Sequence, residues 1–235
     1  MNHSIYIGTA AWNIPSAYAE FFPEDGSHLE RYSEIFNCVE INSSFYKDHQ
    51  AKTYEKWAKM VPGDFRFAVK LSRYFTQDKR LKETGKKLSE VLNGILYLKE
   101  KFGVLLVQLP PSLEYDHLDT RNFLLALRTL YGGFIAWEPR HISWKESADL
   151  LTEFNVTKVF ADPEPCPFLL SPQTFQYCRL HGTPEIYKSN YEKDFLAKIA
   201  CGLTPNSWCI FDNTTFGHAT QNALDLQKIV RQNLF

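Results

Sequence analysis

Eight short β-rich runs alternate with helical segments along the chain, and this alternation restricts the fold more than any other feature. The runs are Ile5–Ala10, Cys38–Asn42, Phe65–Lys70, Gly103–Leu109, Phe134–Glu138, Thr157–Asp162, Gln176–His181 and Trp208–Asn213. Between them lie stretches with apolar residues at helical spacing: SHLERYSEIF, KTYEKWAKMV, KKLSEVLNGILYLKEKF, TRNFLLALRTL, KESADLLTEF and NYEKDFLAKIA, with HATQNALDLQKIVRQ after the last run. Ser27, Thr120 and Asn190 precede three of these stretches and are expected to cap them. A doubly wound open sheet would alternate in the same way, but it often carries a glycine-rich phosphate turn after its first strand, and GTAAW holds a single glycine. The strand count favours an α/β fold, a single (β/α)8 TIM-type barrel. The proline-rich DPEPCPFLLSP loop makes the connection between the sixth and seventh strands irregular. No linker, low-complexity tract or repeat divides the chain, so residues 1–235 are expected to form one domain.

Charge and cysteine usage exclude several function classes. Lys and Arg number 26 against 27 Asp and Glu, for a net charge of -1, so no global field draws the chain to nucleic acid or an anionic membrane. Any basic site must be local. No apolar run has the length to span a bilayer, and MNHSIYIGTAAW lacks the pattern of a secretory signal, so a soluble cytoplasmic protein is expected. The five cysteines, Cys38, Cys166, Cys178, Cys201 and Cys209, never form a CxxC pair, and they are read as small buried hydrophobes rather than disulfide or zinc ligands.

The chemistry is expected where the strands end. In VEINSSFYK, Val39 and Ile41 share one strand face while Glu40 and Asn42 share the other. FRFAVK sets Arg66, Ala68 and Lys70 opposite Phe65, Phe67 and Val69, and VLLVQLP sets Val104, Leu106 and Gln108 opposite Leu105, Val107 and Leu109. FIAWEPR and QYCRLHG repeat the pattern, with Glu138 and Arg140 on one inner face and Tyr177, Arg179 and His181 on another. In a barrel these polar ends meet at the C-terminal mouth, where Glu40, Asn42, Lys70, Gln108, Glu138, Arg140, Asp162, Arg179, His181 and Asn213 would gather. Buried polar groups need partners, so they must satisfy one another, water or a ligand. The bland alternative is a self-neutralising polar plug.

The blocks GTAAW, FFP, VEINSSFYK, FRFAVK, FGVLLVQLPP, WEPRHISW, YCRLHG and DNTTFGHATQNA resemble, in order, the signatures of the YecE-like family, a domain-of-unknown-function family with a TIM-type barrel. The resemblance spans essentially the whole chain and implies the barrel; it implies no reaction. Departures fall at Ala10 and Ala11, where the family pattern has Ser-Gly, at Pro139 in place of Phe, at Gln77 in place of a frequent His, and at Asp212 in place of the first Asn of a pair.

The residues at the expected mouth suit a phosphorylated or polyhydroxylated ligand, with a nucleotide or nucleic acid among the options. Lys70, Arg140 and Arg179 would hold the anion, His181 and Glu138 are the acid-base candidates, and Asn42, Gln108, Asp162 and Asn213 add polar contacts. Trp12 and Tyr46, just past strand ends, are placed to stack on a sugar or base. An enzyme of hydrolase or isomerase type is the leading expectation. An alternative is a glycosidase using Glu40 and Glu138, which needs carboxyls roughly 5–5.5 Å apart for retention or about 6.5–9.5 Å for inversion. A metal-dependent barrel using Glu40, Glu138, Asp162, His141 and His181 lacks HxH or HExxH spacing, so no metal ligand is assigned and the cofactor stays open. A non-catalytic alternative binds nucleic acid or protein through KLSRYFTQDKRLKETGKK, whose cations surround Tyr74 and Phe75. The expected partner is a small anionic or sugar-like ligand; the oligomeric state is not readable.

Overall fold

A computed structural model of the chain describes residues 5–82, 85–170 and 173–233. Expectations that touch residues 1–4, 83–84, 171–172 or 234–235, namely the opening segment, part of the basic run and the end of the proline-rich loop, lie partly outside the described residues. Nine strands form among the described residues: β1 (Tyr6–Thr9), β2 (Cys38–Ile41), β3 (Arg66–Lys70), β4 (Phe102–Gln108), β5 (Phe134–Glu138), β6 (Thr157–Lys158), β7 (Phe160–Asp162), β8 (Tyr177–Leu180) and β9 (Trp208–Phe211). All described pairings are parallel, in a five-stranded sheet of order β2-β3-β4-β5-β6 and a four-stranded sheet of order β1-β9-β8-β7. Parallel strands covered on both faces read as near-continuous apolar runs, which is why Cys38–Ile41 and Trp208–Phe211 are buried at every residue.

The helices are α1 (His28–Ser33), α2 (Ser43–Tyr46), α3 (Ala51–Lys59), α4 (Gly85–Ile95), α5 (His117–Leu130), α6 (Ala148–Glu153), α7 (Lys193–Gly202) and α8 (His218–Asn233). Helical spacing places Leu88, Leu92 and Ile95 on the buried side of α4, where each large aliphatic removed from water contributes roughly 1.5–3 kcal/mol. Ser27 caps α1 in a capping box with Glu30. The other two expected caps differ. Asp116, not Thr120, accepts the Asp119 amide and starts α5 four residues earlier than the apolar spacing suggests, while Thr120 is buried inside the helix. Glu192 rather than Asn190 precedes α7, and the Asn190 Oδ1 accepts from Asn222 Nδ2 instead.

The expected sixth strand is split, and the reason is a change of partner. Thr157 and Lys158 pair with Ala136 and Trp137 of β5, whereas Phe160–Asp162 pair with Cys178–Leu180 of β8. Val159 stands between them, its amide donating to the Trp137 carbonyl. The other junction lies between β1 and β2, where side chains replace most of the ladder. The Tyr32 hydroxyl accepts from the Thr9 amide at 2.8 Å and donates to the Cys38 carbonyl at 3.1 Å, while Asn37 takes the Ile7 amide and donates to the Ile5 carbonyl. One backbone bridge, Ala10 to Glu40, completes the junction. Gly8 is required there, since a Cβ would stand 2.1 Å from the Cys38 carbonyl oxygen.

Two apolar cores result. The larger lies between the strands and the helices. The smaller joins the inner faces of both sheets, from Cys38, Ala68, Val104, Leu106 and Ala136 to Val159, Tyr177, Trp208 and Ile210. It is closed at the N-terminal ends of the strands by the stacked rings of Tyr6, Trp208 and Tyr177. At the C-terminal ends of the same strands its lining turns polar.

Candidate functional site

Continuing the inner-face alternation past Cys38, Ala68, Leu106, Ala136, Tyr177 and Ile210 reaches Glu40, Lys70, Gln108, Glu138, Arg179 and Asp212. Arg179 is the hub. Its guanidinium is fully buried and grips Glu40 with two bonds, Nε to Oε2 at 3.0 Å and Nη2 to Oε1 at 2.8 Å. Nη1 donates to Glu138 Oε2 at 2.6 Å and to Gln108 at 3.3 Å, and Nη2 also reaches Asp212 Oδ2 at 3.0 Å. The Tyr177 hydroxyl donates to Glu40 Oε2 at 2.8 Å. Arg140 forks onto the remaining Glu138 oxygen, Oε1, at 2.9 and 2.8 Å and keeps 20% of its side chain exposed. A guanidinium offers five donors in a fixed plane, which is why one Arg can neutralise this many carboxyl oxygens out of water.

His181 follows β8 and is turned by the left-handed Gly182, where a Cβ would stand 3.0 Å from the Ser189 carbonyl oxygen. Its Nδ1 pairs with Asp212 Oδ2 at 3.0 Å. Its Nε2 is buried, stands 3.4 Å from Glu138 Oε1 and makes no hydrogen bond to a described residue. Tyr187 packs edge-on against the ring, with centroids 5.9 Å apart. Glu138, Arg140 and His181 line an open cavity of about 280 Å³, together with Pro111, Ala161 and Ile186.

Electrostatics separates the roles. Burial alone would raise the Glu138 pKa, but Arg179, His181 and Arg140 together hold it well below the usual carboxylate range. Asp212 is opposed by burial in the same way and is lowered by Arg179 and His181. For His181, burial works against the charged ring, yet the bond to Asp212 and the Glu138 carboxylate outweigh it and raise its pKa. Lys70 goes the other way: burial, then Arg179, push its ammonium down to about 8 against the pull of the carboxylates.

The remaining expected residues are distributed as follows. Gln108 joins the network as an acceptor. Asp162 accepts from Thr183 and Tyr191 at 2.6 and 2.7 Å and takes no part in the Arg179 network. Asn213 is buried and donates to the Ser189 carbonyl and to Asn222, tying the last loop to α8. Asn42 precedes α2 with its Oδ1 buried and without a partner among the described residues. Trp12 packs edge-on against Trp57, and Tyr46 is 75% exposed against Phe45. His141 bonds Ser143, and Trp144 of the same WEPRHISW block, which is outside the expected set, is buried and donates to the Leu113 carbonyl. Two network members stand outside the expected set: Asp212, whose phase is hidden because both faces of Trp208–Phe211 are apolar, and Tyr177, which shares its face with Arg179 and His181.

Among the described residues no group of three or more His, Cys, Asp or Glu side chains is arranged to hold a metal ion. Most cations of the basic run meet acceptors: Arg73 meets Asp78, Lys82 meets Asp119, Lys87 meets Asp48, Lys86 meets Glu90, and Arg80 donates to the Ser112 carbonyl. Four of the five cysteines are buried and none is in a disulfide. No described helix is long and apolar enough to cross a membrane.

Known proteins share both sequence and fold with this chain. The Escherichia coli UPF0759 protein YecE is 28% identical over 108 residues, 46% of this chain and 38% of that protein. The Bacillus subtilis UPF0759 protein YunF is 34% identical over 76 residues, 32% of this chain and 27% of that protein. The match thus spans less than half the length of either relative. A DUF72 family protein of Thermotoga maritima superposes with a TM-score of 0.78 at 23% identity, over 97% of this chain and 99% of that one. A DUF72 family protein of Enterococcus faecalis does so with a TM-score of 0.78 at 19% identity, over 97% and 96%. The family model described as protein of unknown function DUF72 matches residues 6–234, and the chain belongs to this YecE-like family.

Proposed function

We propose that the polar end of the inner core binds a small, oxygen-rich anion such as a sugar phosphate or sugar acid, and that His181 is the proton carrier of a hydrolase- or isomerase-type reaction. The observation that carries the reading is the state of His181: Nδ1 is fixed by Asp212, Nε2 stands 3.4 Å from Glu138 Oε1 and makes no hydrogen bond to a described residue, and both Arg140 and the open cavity lie beside it. A carboxylate that orients one imidazole nitrogen sets the ring and favours its cationic form, so the other nitrogen is left to donate to a ligand oxygen. Arg140 keeps donors beyond those spent on Glu138, and it supplies the planar fork that a phosphate or carboxylate fits. Arg179 organises the carboxylates rather than holding the anion, since its donors are all engaged.

The cavity volume suits a ligand of monosaccharide size. Glu138 is held anionic and its two oxygens accept from Arg179 and Arg140, so it lacks the raised pKa that a glycosidase acid needs. In the same reading the two sheets are one eight-membered (β/α)8 ring within a single domain, with β6 and β7 counting as one strand interrupted at Val159. The supports are the Ala10–Glu40 bridge at one junction and the Val159 amide at the other.

Calorimetric titration with inorganic phosphate, ribose 5-phosphate and glucose 6-phosphate tests the site. Arg140→Ala is expected to weaken binding at least about tenfold, in line with the loss of a charge-assisted pair. Because the His181 pKa is raised, the ring is cationic below that value, and affinity should fall as pH rises through it. His181→Asn should flatten that dependence. Equal affinity and equal pH profile in the parent and both variants would remove the anion site.

A further inference from the structure

Four Lys and Arg side chains are buried among the described residues: Lys70, Lys101, Lys158 and Arg179. Three of them end on oxygen. Arg179 meets Glu40, Glu138, Asp212 and Gln108, Lys158 donates to Glu164 at 2.7 Å, and Lys101 donates to the Val61 and Pro62 carbonyls. Lys70 does not. No described oxygen lies within hydrogen-bond or ion-pair reach of its Nζ, which stands 4.2 Å from the centre of the Phe45 ring. An ammonium held mostly out of water against one aromatic face recovers only part of its hydration, whereas a neutral amine gives up far less.

The surroundings of this amine are those of a reacting group rather than a structural one. Its backbone carbonyl is held by the Ser44 hydroxyl at 2.7 Å, which also bonds the Ile41 carbonyl and so ties the end of β3 to that of β2. β2 ends at Ile41, and Asn42, already in helical backbone, turns the chain into α2 beside the Ser44–Lys70 tie. Asn42 Oδ1 is the second unspent polar atom there, a buried acceptor suited to a substrate hydroxyl. Lys70 keeps 8% of its surface, and the charges that act on it are Arg179, Glu40, Glu138 and Asp212, all in the network described above.

We propose that Lys70 is a carbonyl-reactive amine and that the polar end takes a phosphorylated aldehyde or ketone sugar, bound through an imine to Nζ. The proposal rests on the anion site above, which it deepens by naming the substrate class. The Nζ lone pair adds to the carbonyl carbon, and the C=O π bond becomes the C–OH of a carbinolamine. This intermediate takes up one proton and loses its hydroxyl as water, leaving an iminium in which Nζ is doubly bonded to the former carbonyl carbon. One water leaves and no oxidant or reductant is used. Desolvation beside a second cation is a recognised way to keep a lysine nucleophilic at neutral pH. With its ammonium lowered to about 8, Lys70 carries on the order of a hundredfold more free amine near neutrality than an ordinary lysine.

The full chain is incubated with dihydroxyacetone phosphate near neutral pH and reduced with sodium borohydride, which converts an iminium to a stable secondary amine. Intact mass and peptide mapping then locate the label. The expected result is one adduct at Lys70, formed roughly tenfold or more faster than at any exposed lysine, and its disappearance in Lys70→Met with an unchanged circular dichroism spectrum. Label spread over exposed lysines with Lys70 untouched overturns the imine. Calorimetry with inorganic phosphate on the same preparation separates the two claims: phosphate binding without a Lys70 adduct removes the imine alone, and loss of both removes the anion site as well.

Discussion

The Arg179 and Lys70 sides of the polar end use the same residue types to opposite effect. Around Arg179 every donor is matched: two carboxylates, an amide and a third carboxylate accept from one guanidinium, and Tyr177 supplies a further donor to Glu40. Around Lys70 the amine faces an aromatic ring and Asn42 Oδ1 faces no donor among the described residues. The apolar layer beneath, from Ala68, Leu106 and Ala136 to Ile210, serves both sides by keeping water away. Low polarity strengthens a matched set and penalises an unmatched one. The difference teaches that burial is not evidence of purpose by itself; within the polar end it is the completeness of pairing that separates the two sides.

Four substitutions would break or sharpen that contrast. Arg179→Met is the most severe, because it strands Glu40, Glu138 and Asp212 without their common cation; a loss of about 3–5 kcal/mol or more is expected in urea denaturation. A well-folded variant of parental stability would contradict the hub role. Lys70→Met should act in the opposite direction. An ammonium held below its ordinary pKa costs stability in full below the folded value of about 8, and the cost fades as pH rises toward the unfolded value near 10.4. The variant should therefore gain up to about 3 kcal/mol at neutral pH and almost nothing above about pH 10, read from denaturation midpoints at the two conditions. A gain that does not shrink with pH would show that packing, not charge, is responsible. The smallest effect belongs to Asn42→Ala, within about 0.5 kcal/mol of the parent by thermal melting, because Oδ1 gives up no bond. Asn213→Ala removes bonds to Ser189 and Asn222 and should cost about 1–2 kcal/mol.

The strands were legible because their alternation is unambiguous wherever an inner face ends in a charged or amide group, as at Glu40, Lys70, Gln108, Glu138 and Arg179. Where both faces are apolar the phase is silent. Trp208 and Ile210 face inward while Cys209 and Phe211 face the helices, and nothing in WCIFDN distinguishes them, so Asn213 stood in for Asp212. Val159 and Ala161 against Phe160 and Asp162 pose the same difficulty at β7, where Asp162 meets Thr183 and Tyr191. The split of the sixth strand depends on which neighbour each residue finds, a long-range property that no local pattern records. Pair choice within the site was equally hidden. Composition lists cations and carboxylates, but only the backbone decides that one arginine consumes three carboxylates and leaves a lysine without any.

The pairing of β1 with β9, residue for residue from Tyr6–Trp208 to Thr9–Phe211, carries a consequence for synthesis. During synthesis one rim of the first strand waits open until Trp208–Phe211 have been made, since its mate emerges only with them. A ribosome stalled short of that point holds a ribbon with one edge unmatched, the kind of edge on which chains stick to one another.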